Sequence, residues 1–363
     1  MEPYIYLLIF SIIASVVSIL KLRILEKICF WILSFCIIGI VAFRHYTIGT
    51  DTIGYYYFFL DPSNGYSSYN VSDIEIGYRL MNVLGRSISM DGNTFLSVCA
   101  VISILPFIYI IWKESSNRLF SLFLLISLGT TTIFYILFFS MIRQCLAFGI
   151  ISIGLYWFYK RKKRNFYFRF IPVILACAFH STALFTLPLF FIDYIKFKKK
   201  MMYLCLIITW VIGTILVKFK TLLFGLSGIL GDGHFNYYVD IIGENKYSIG
   251  VTVPLLLICF LMYYVADEKM QNNVYVKIFT IGVMLNNLFY LVGNSDRLNL
   301  YFGIYGCLAI PYIYEALKKY KSKFIQISFL IIILGYYSSK YVKVFENAKQ
   351  NPIVQLVPYK SYL

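Results

Sequence analysis

Residues 135–164 read YILFFSMIRQCLAFGIISIGLYWFYKRKKR, an apolar run closed by five consecutive basic residues, Lys160 to Arg164. A run of roughly 17 to 25 apolar residues is what a helix needs to cross a bilayer, and a basic block at one end marks that end as cytoplasmic. One side chain breaks the run: Arg143, between Ile142 and Gln144. It lies 17 residues before Lys160. At 1.5 Å per residue that separation is roughly 25 Å, which carries the guanidinium to the outer boundary of the hydrocarbon.

The rest of the chain repeats this pattern. Of its 363 residues 60% are hydrophobic and 14% charged, with a mean hydropathy of +0.74, far from the mixture of a soluble protein. Apolar runs fall at 4–20, 28–43, 95–112, 119–134, 135–159, 201–217, 251–266, 278–292, 300–316 and 324–337. Six short connections between them hold 21 of the 33 Lys and Arg residues. These connections read as cytoplasmic, and they account for nearly the whole net charge of +16. The charge is therefore topological, and nucleic acid is not an expected partner.

Basic runs at 160–164 and 196–200 place both ends of the intervening segment inside, so the chain must go out and return between them. The midpoint is His180, in Phe179-His180-Ser181-Thr182. About sixteen residues per arm reach roughly 24 Å, so a hairpin of two short helices or a re-entrant pair is expected, with His180 at its tip. The expected fold is all-α: a polytopic integral membrane protein forming a single transmembrane domain over 1–363, with about twelve crossings, that hairpin included. Both termini are expected outside.

Two long exoplasmic loops follow, 44–94 and 218–250. Within the second, 221–230 is uncharged and could lie in the interface plane. The segment 338–363 reads as an extended or partly helical exoplasmic end. The eight cysteines all sit in apolar runs without metal-ligand spacing, so packing is expected rather than disulfides or zinc. No metal or cofactor is expected.

Four side chains share one estimated depth at the outer boundary: Arg44, Arg143, His180 and Arg297. Any one arginine there could simply snorkel to headgroups. Four together, against the positive-inside bias, suggest a site. Guanidinium groups donate paired hydrogen bonds to phosphate oxygens, so a lipid-linked phosphate or pyrophosphate is the suggested ligand, with a carboxylate as the alternative. The acids near this depth are Asp51, Glu75 and Asp296. Asp51 or His180 could act as general base on a sugar hydroxyl. Competing readings are that Asp51 caps a helix or orients Arg44, and that His180 is a satisfied polar residue at a turn. The many outer tyrosines, Tyr46 and Tyr55 among them, read as an interfacial belt.

These motifs resemble the EpsG-like family of bacterial membrane proteins, related to the Wzy-type polymerases of O-antigen, capsule and exopolysaccharide. The matching residues are Arg44 with Gly49-Thr50-Asp51-Thr52-Ile53-Gly54-Tyr55, then Glu75-Ile76-Gly77-Tyr78-Arg79-Leu80, Ile142-Arg143-Gln144 with Ala147, Phe179-His180-Ser181-Thr182-Ala183, and Arg297 with Tyr301-Phe302.

The resemblance implies a glycosyltransferase in the bacterial cytoplasmic membrane with its active site facing the exoplasm. It would move a glycan from a polyprenyl-pyrophosphate donor to the terminal sugar of another lipid-linked repeat unit. Arg44, Glu75, Arg143 and Arg297 are then the expected substrate-binding residues, and Asp51 and His180 the expected catalytic ones. The implied partners are the polyprenyl-pyrophosphate-linked oligosaccharide and membrane lipids, with a chain-length regulator protein as a candidate. Two rivals handle the same lipid: a flippase, which should show related halves around a midplane cavity, and an O-antigen-ligase-like transferase. A membrane O-acyltransferase would need its histidine reached from inside, and a scaffold would leave the shared depth unexplained.

Overall fold

The structure is a computed structural model that describes residues 1–64, 74–130, 132–160, 166–218, 249–289, 295–320, 322–350 and 355–362. Among them every regular element is helical. The helices are α1 (Glu2–Val17), α2 (Arg23–Ala42), α3 (Thr52–Leu60), α4 (Ile76–Ser87), α5 (Gly92–Glu114), α6 (Arg118–Ser127), α7 (Phe134–Ser140), α8 (Ile142–Lys160) and α9 (Ile171–Cys177). A 3₁₀ helix, Ser181–Tyr194, precedes α10 (Lys199–Lys218), α11 (Ile249–Val265), α12 (Val274–Phe289), α13 (Ser295–Gly303), α14 (Gly306–Ala316) and α15 (Lys323–Gln350). Six helical stretches among the described residues are long and apolar enough to cross a membrane, with five shorter apolar helices beside them. The protein is thus an all-α membrane protein.

About twelve crossings are expected from the apolar runs, and among the described residues two of those runs break. The run 119–134 stops at Ser127 because Leu128 turns extended. The run 135–159 divides at Met141, whose backbone (φ −97°, ψ 60°) leaves the helical region. The expected loop 44–94 is not open chain: it contains α3 and α4 and the start of α5. The other expected loop, 218–250, lies outside the described residues apart from its ends, and its interfacial stretch 221–230 lies wholly outside them.

The chain forms two compact units, one of 1–128, 133–191 and 327–363, the other of 129–132 and 192–326. In the first unit two contacts bring basic connections together. Lys160 Nζ at the end of α8 lies 2.8 Å from Glu114 at the end of α5, and Asn117 Nδ2 donates to Ser18 Oγ at 2.8 Å. Three basic connections therefore gather at one end of this unit, as a shared membrane face requires. The start of α8, with Arg143, is at the other end.

That other end is closed by backbone. After α2 the chain runs through Arg44 to Asp51 as a loop held from two sides. The Gly49 amide donates to Gln355 O and the His45 amide to Lys360 O, both at 2.9 Å. The Thr50 amide donates to Ser140 Oγ at 3.0 Å, and Thr52 Oγ1 donates to the Phe139 carbonyl, which the break before α8 leaves available. The expected partly helical end is therefore α15 followed by a strap over 355–362. Tyr4 OH binds this strap at Leu356 O (3.0 Å), and Tyr359 OH binds Ile40 O (3.1 Å).

Gly49 has φ +102°, and a Cβ there would fall on the Phe139 carbonyl. Gly49→Ala is therefore expected to lower stability by about 1 to 3 kcal/mol, from the strained backbone and the collision together. A thermal melt of the detergent-solubilised protein checks this, and an unchanged melting temperature would contradict it.

Candidate active site

Four segments far apart in sequence meet at the loop end of the first unit. Glu75 stands at the N-cap of α4, yet its carboxylate does not cap that helix. It turns instead to two partners: Oε2 accepts from Arg143 Nη1, and Oε1 accepts from His180 Nδ1 at 2.9 Å. The Ser181 amide adds a third donor to Oε1 at 3.3 Å. Tyr55 OH, from the first turns of α3, lies 3.4 Å from Arg143 Nε, and its ring lies under the guanidinium, 5.9 Å from the centroid. Beneath the site, Tyr55, Phe58, Tyr78, Phe95 and Ile142 form one buried cluster that joins α3, α4, α5 and the start of α8.

The local backbone explains each position. His180 lies between α9 and the 3₁₀ helix, so the chain does carry two short helices that meet at this residue. The Gly77 amide, an otherwise unsatisfied donor of the first turn of α4, donates to Ala178 O at 2.6 Å. A Cβ on Gly77 would sit 2.6 Å from that same oxygen. Glycine at this place is what lets α4 approach the His180 turn closely enough for Glu75 to reach the imidazole. Arg143 occupies the first turn of α8, where the helix dipole disfavours a cation by about 0.3 to 1 kcal/mol. Glu75 offsets that penalty, so Arg143 is not placed there for the benefit of its own helix.

Burial acts to raise the Glu75 pKa, but the His180 hydrogen bond and the Arg143 charge outweigh it and hold the pKa down at about 2. With the folded pKa depressed, the stabilisation from this carboxylate is complete above the ordinary value of 4.5 and is lost as pH falls from there through about 2. Across any physiological range it is an anion. An ionised carboxylate only accepts hydrogen bonds, so His180 Nδ1 carries the proton and Nε2 is the ring nitrogen left to take one. The His180 side chain is 22% exposed and that of Glu75 16%. The arrangement can therefore hold an imidazole in one orientation as a base, beside a guanidinium able to meet an anion.

The remaining expected site residues are placed differently. Arg44 is enclosed, 1% exposed. Nη1 donates to Val41 O, Nε and Nη2 have no hydrogen-bond partner among the described residues, and Phe139 lies 5.9 Å away. Asp51 is the N-cap residue of α3 without a side-chain capping bond, so its expected capping role is not the one it performs. Arg297 is exposed on α13, in the second unit. Tyr55 was expected only as a belt and motif residue. Its position seven residues after Ile48 gave no sign of a contact with Arg143.

A bundle of apolar helices, with an acid, an imidazole and a guanidinium joined at one end of the first unit, defines an α-helical membrane protein. The chain belongs to the EpsG family, whose model matches residues 27–361, nearly the whole length, and which is associated with exopolysaccharide biosynthesis. No curated protein and no solved structure matches it.

Proposed function

We propose that the protein is a polysaccharide polymerase, a glycosyltransferase that joins polyprenyl-pyrophosphate-linked oligosaccharide units on the outer face of the bacterial cytoplasmic membrane. The observation that carries this reading is Glu75 bridging Arg143 and His180. His180 Nε2 takes the proton from an acceptor-sugar hydroxyl as that oxygen attacks the anomeric carbon of the donor. The bond from that carbon to the pyrophosphate oxygen breaks, and the lipid pyrophosphate departs with the electron pair. Glu75 holds the imidazole and stabilises its charged form. Arg143 offsets the charge that develops on the leaving group, a contribution made where it is needed in the transition state. No nucleotide is required, because the pyrophosphate already activates the donor. Asp51 is the alternative base, and the buried Arg44 is proposed to contribute positive charge without touching the substrate.

The test is gel analysis of surface glycan from a deletion strain complemented with variants. Wild-type protein should restore the full ladder, and Arg143→Ala should leave single repeat units at normal protein levels. Full-length glycan from Arg143→Ala would overturn the reading. Long lipid-linked polymer accumulating in the deletion strain would instead indicate a ligase.

A further inference from the structure

The helix that supplies Glu75 has its faces reversed relative to a soluble protein. On α4, Tyr78, Asn82 and Gly85 are buried, whereas Ile76, Leu80 and Leu84 are 58%, 56% and 66% exposed. Their spacing of four residues puts them on one side of the helix. At twelve residues α4 is about 18 Å long, too short to span a bilayer. A second exposed apolar pair, Leu184 at 60% and Phe185 at 61%, begins three residues after Ser181 on the 3₁₀ helix. Both strips start at the charged cluster: Ile76 follows Glu75 directly, and the Ser181 amide binds the Glu75 carboxylate. The Gly77–Ala178 hydrogen bond holds the two elements together at that point. Arg79, one helical turn beyond Glu75, has a buried Nε with no hydrogen-bond partner among the described residues.

We propose that these two strips seat the hydrocarbon tail of the lipid-linked donor where it leaves its pyrophosphate, with Arg143 and Arg79 on the phosphates. The inference rests on the reading of the site as one for a lipid pyrophosphate and adds the path by which that lipid reaches it, sideways from the bilayer along α4. A ligand with an anionic head and an apolar tail matches a surface whose charge and apolar strips meet at one residue. A water-soluble sugar nucleotide would leave the strips uncovered. A bilayer lipid alone would cover them but would not engage the Arg79 Nε, which has no hydrogen-bond partner among the described residues.

The experiment places the full-length protein in phosphatidylcholine nanodiscs with one of two photoprobes. One is a polyprenyl monophosphate with a diazirine in its first isoprene units, the other a phosphatidylcholine with a diazirine in its acyl chain. The polyprenyl probe should label residues 76–84 and 184–185 and be displaced by unlabelled polyprenyl pyrophosphate. Leu80→Asn or Leu184→Asn should weaken that labelling about tenfold, the loss expected from uncovering one leucine side chain. Because both leucines are exposed, these variants should fold, and Leu80→Ala gives a milder check in the same direction.

Equal labelling by both probes without displacement would show bilayer contact only and overturn the proposal, as would polyprenyl labelling confined to other helices. The failures separate cleanly. Specific labelling in a protein whose deletion leaves glycan length unchanged refutes the polymerase reading and leaves the tail seat standing. Non-specific labelling in a protein needed for polymer refutes the tail seat alone.

Discussion

Glu75→Gln is expected to abolish polymer formation while the protein still folds. The three groups around the carboxylate, Arg143 Nη1, His180 Nδ1 and the Ser181 amide, are all donors. Glutamine offers one carbonyl oxygen and one NH2 group. Whichever way it is turned, a donor then faces a donor, and either the guanidinium or the imidazole loses its anchor. If the imidazole is the one released, its tautomer and direction are no longer set.

Loss of an oriented general base costs about 10²- to 10⁴-fold in rate, which in a gel of surface glycan reads as the absence of chains. Glu75→Asp keeps the charge but shortens the reach and should recover part of the activity. Because the pair is largely buried, with side chains 10% and 16% exposed, removing its negative charge should also lower the melting temperature, so rates are compared at equal amounts of folded protein. Initial rates on a lipid-linked repeat unit in proteoliposomes decide the matter. A Glu75→Gln rate within about threefold of wild type, far above the general-base range, would remove the carboxylate from the mechanism.

Arg44→Met should do the opposite to the fold: the melting temperature should hold or rise. The guanidinium is buried with only Nη1 bonded, to Val41 O, and with Nε and Nη2 unsatisfied among the described residues. A buried ion costs several kcal/mol after relaxation, and replacing buried ionic groups by apolar ones of like volume is often neutral or stabilising by about 1 to 4 kcal/mol. Methionine fills a similar length without a charge. A side chain kept at a cost to stability is expected to serve the reaction, so the same variant should shorten or abolish polymer. Paired measurements separate the possibilities: a clear fall in melting temperature would show that Arg44 is retained for the loop and the strap, and full-length polymer from a stable variant would remove it from the site.

The membrane class was legible in the residues themselves. An apolar run in lipid and a basic block in the cytoplasm are local requirements, met residue by residue, and they act before any helix finds a neighbour. For the same reason the turn at His180 could be placed by bisecting the segment between two basic runs. The division of the 135–159 run at Met141 was not legible, because each half is equally apolar. It takes the Thr50 amide and the Thr52 hydroxyl, docking from a loop 90 and 87 residues away, to use the groups near that break. Arg44 shows the same limit, since a guanidinium at a helix end can snorkel to water or be closed in, and the strap over 355–362 closes it in.

What the sequence alone determined was an all-α membrane chain with its cations, acids and histidine near the helix ends. Which of them meet was decided by tertiary packing: Glu75 joins residues 68 and 105 positions away. Those pairings depend on a close approach at Gly77 and on a shared buried cluster under α3, α4 and α8, and contacts of that range arise only when the helices pack.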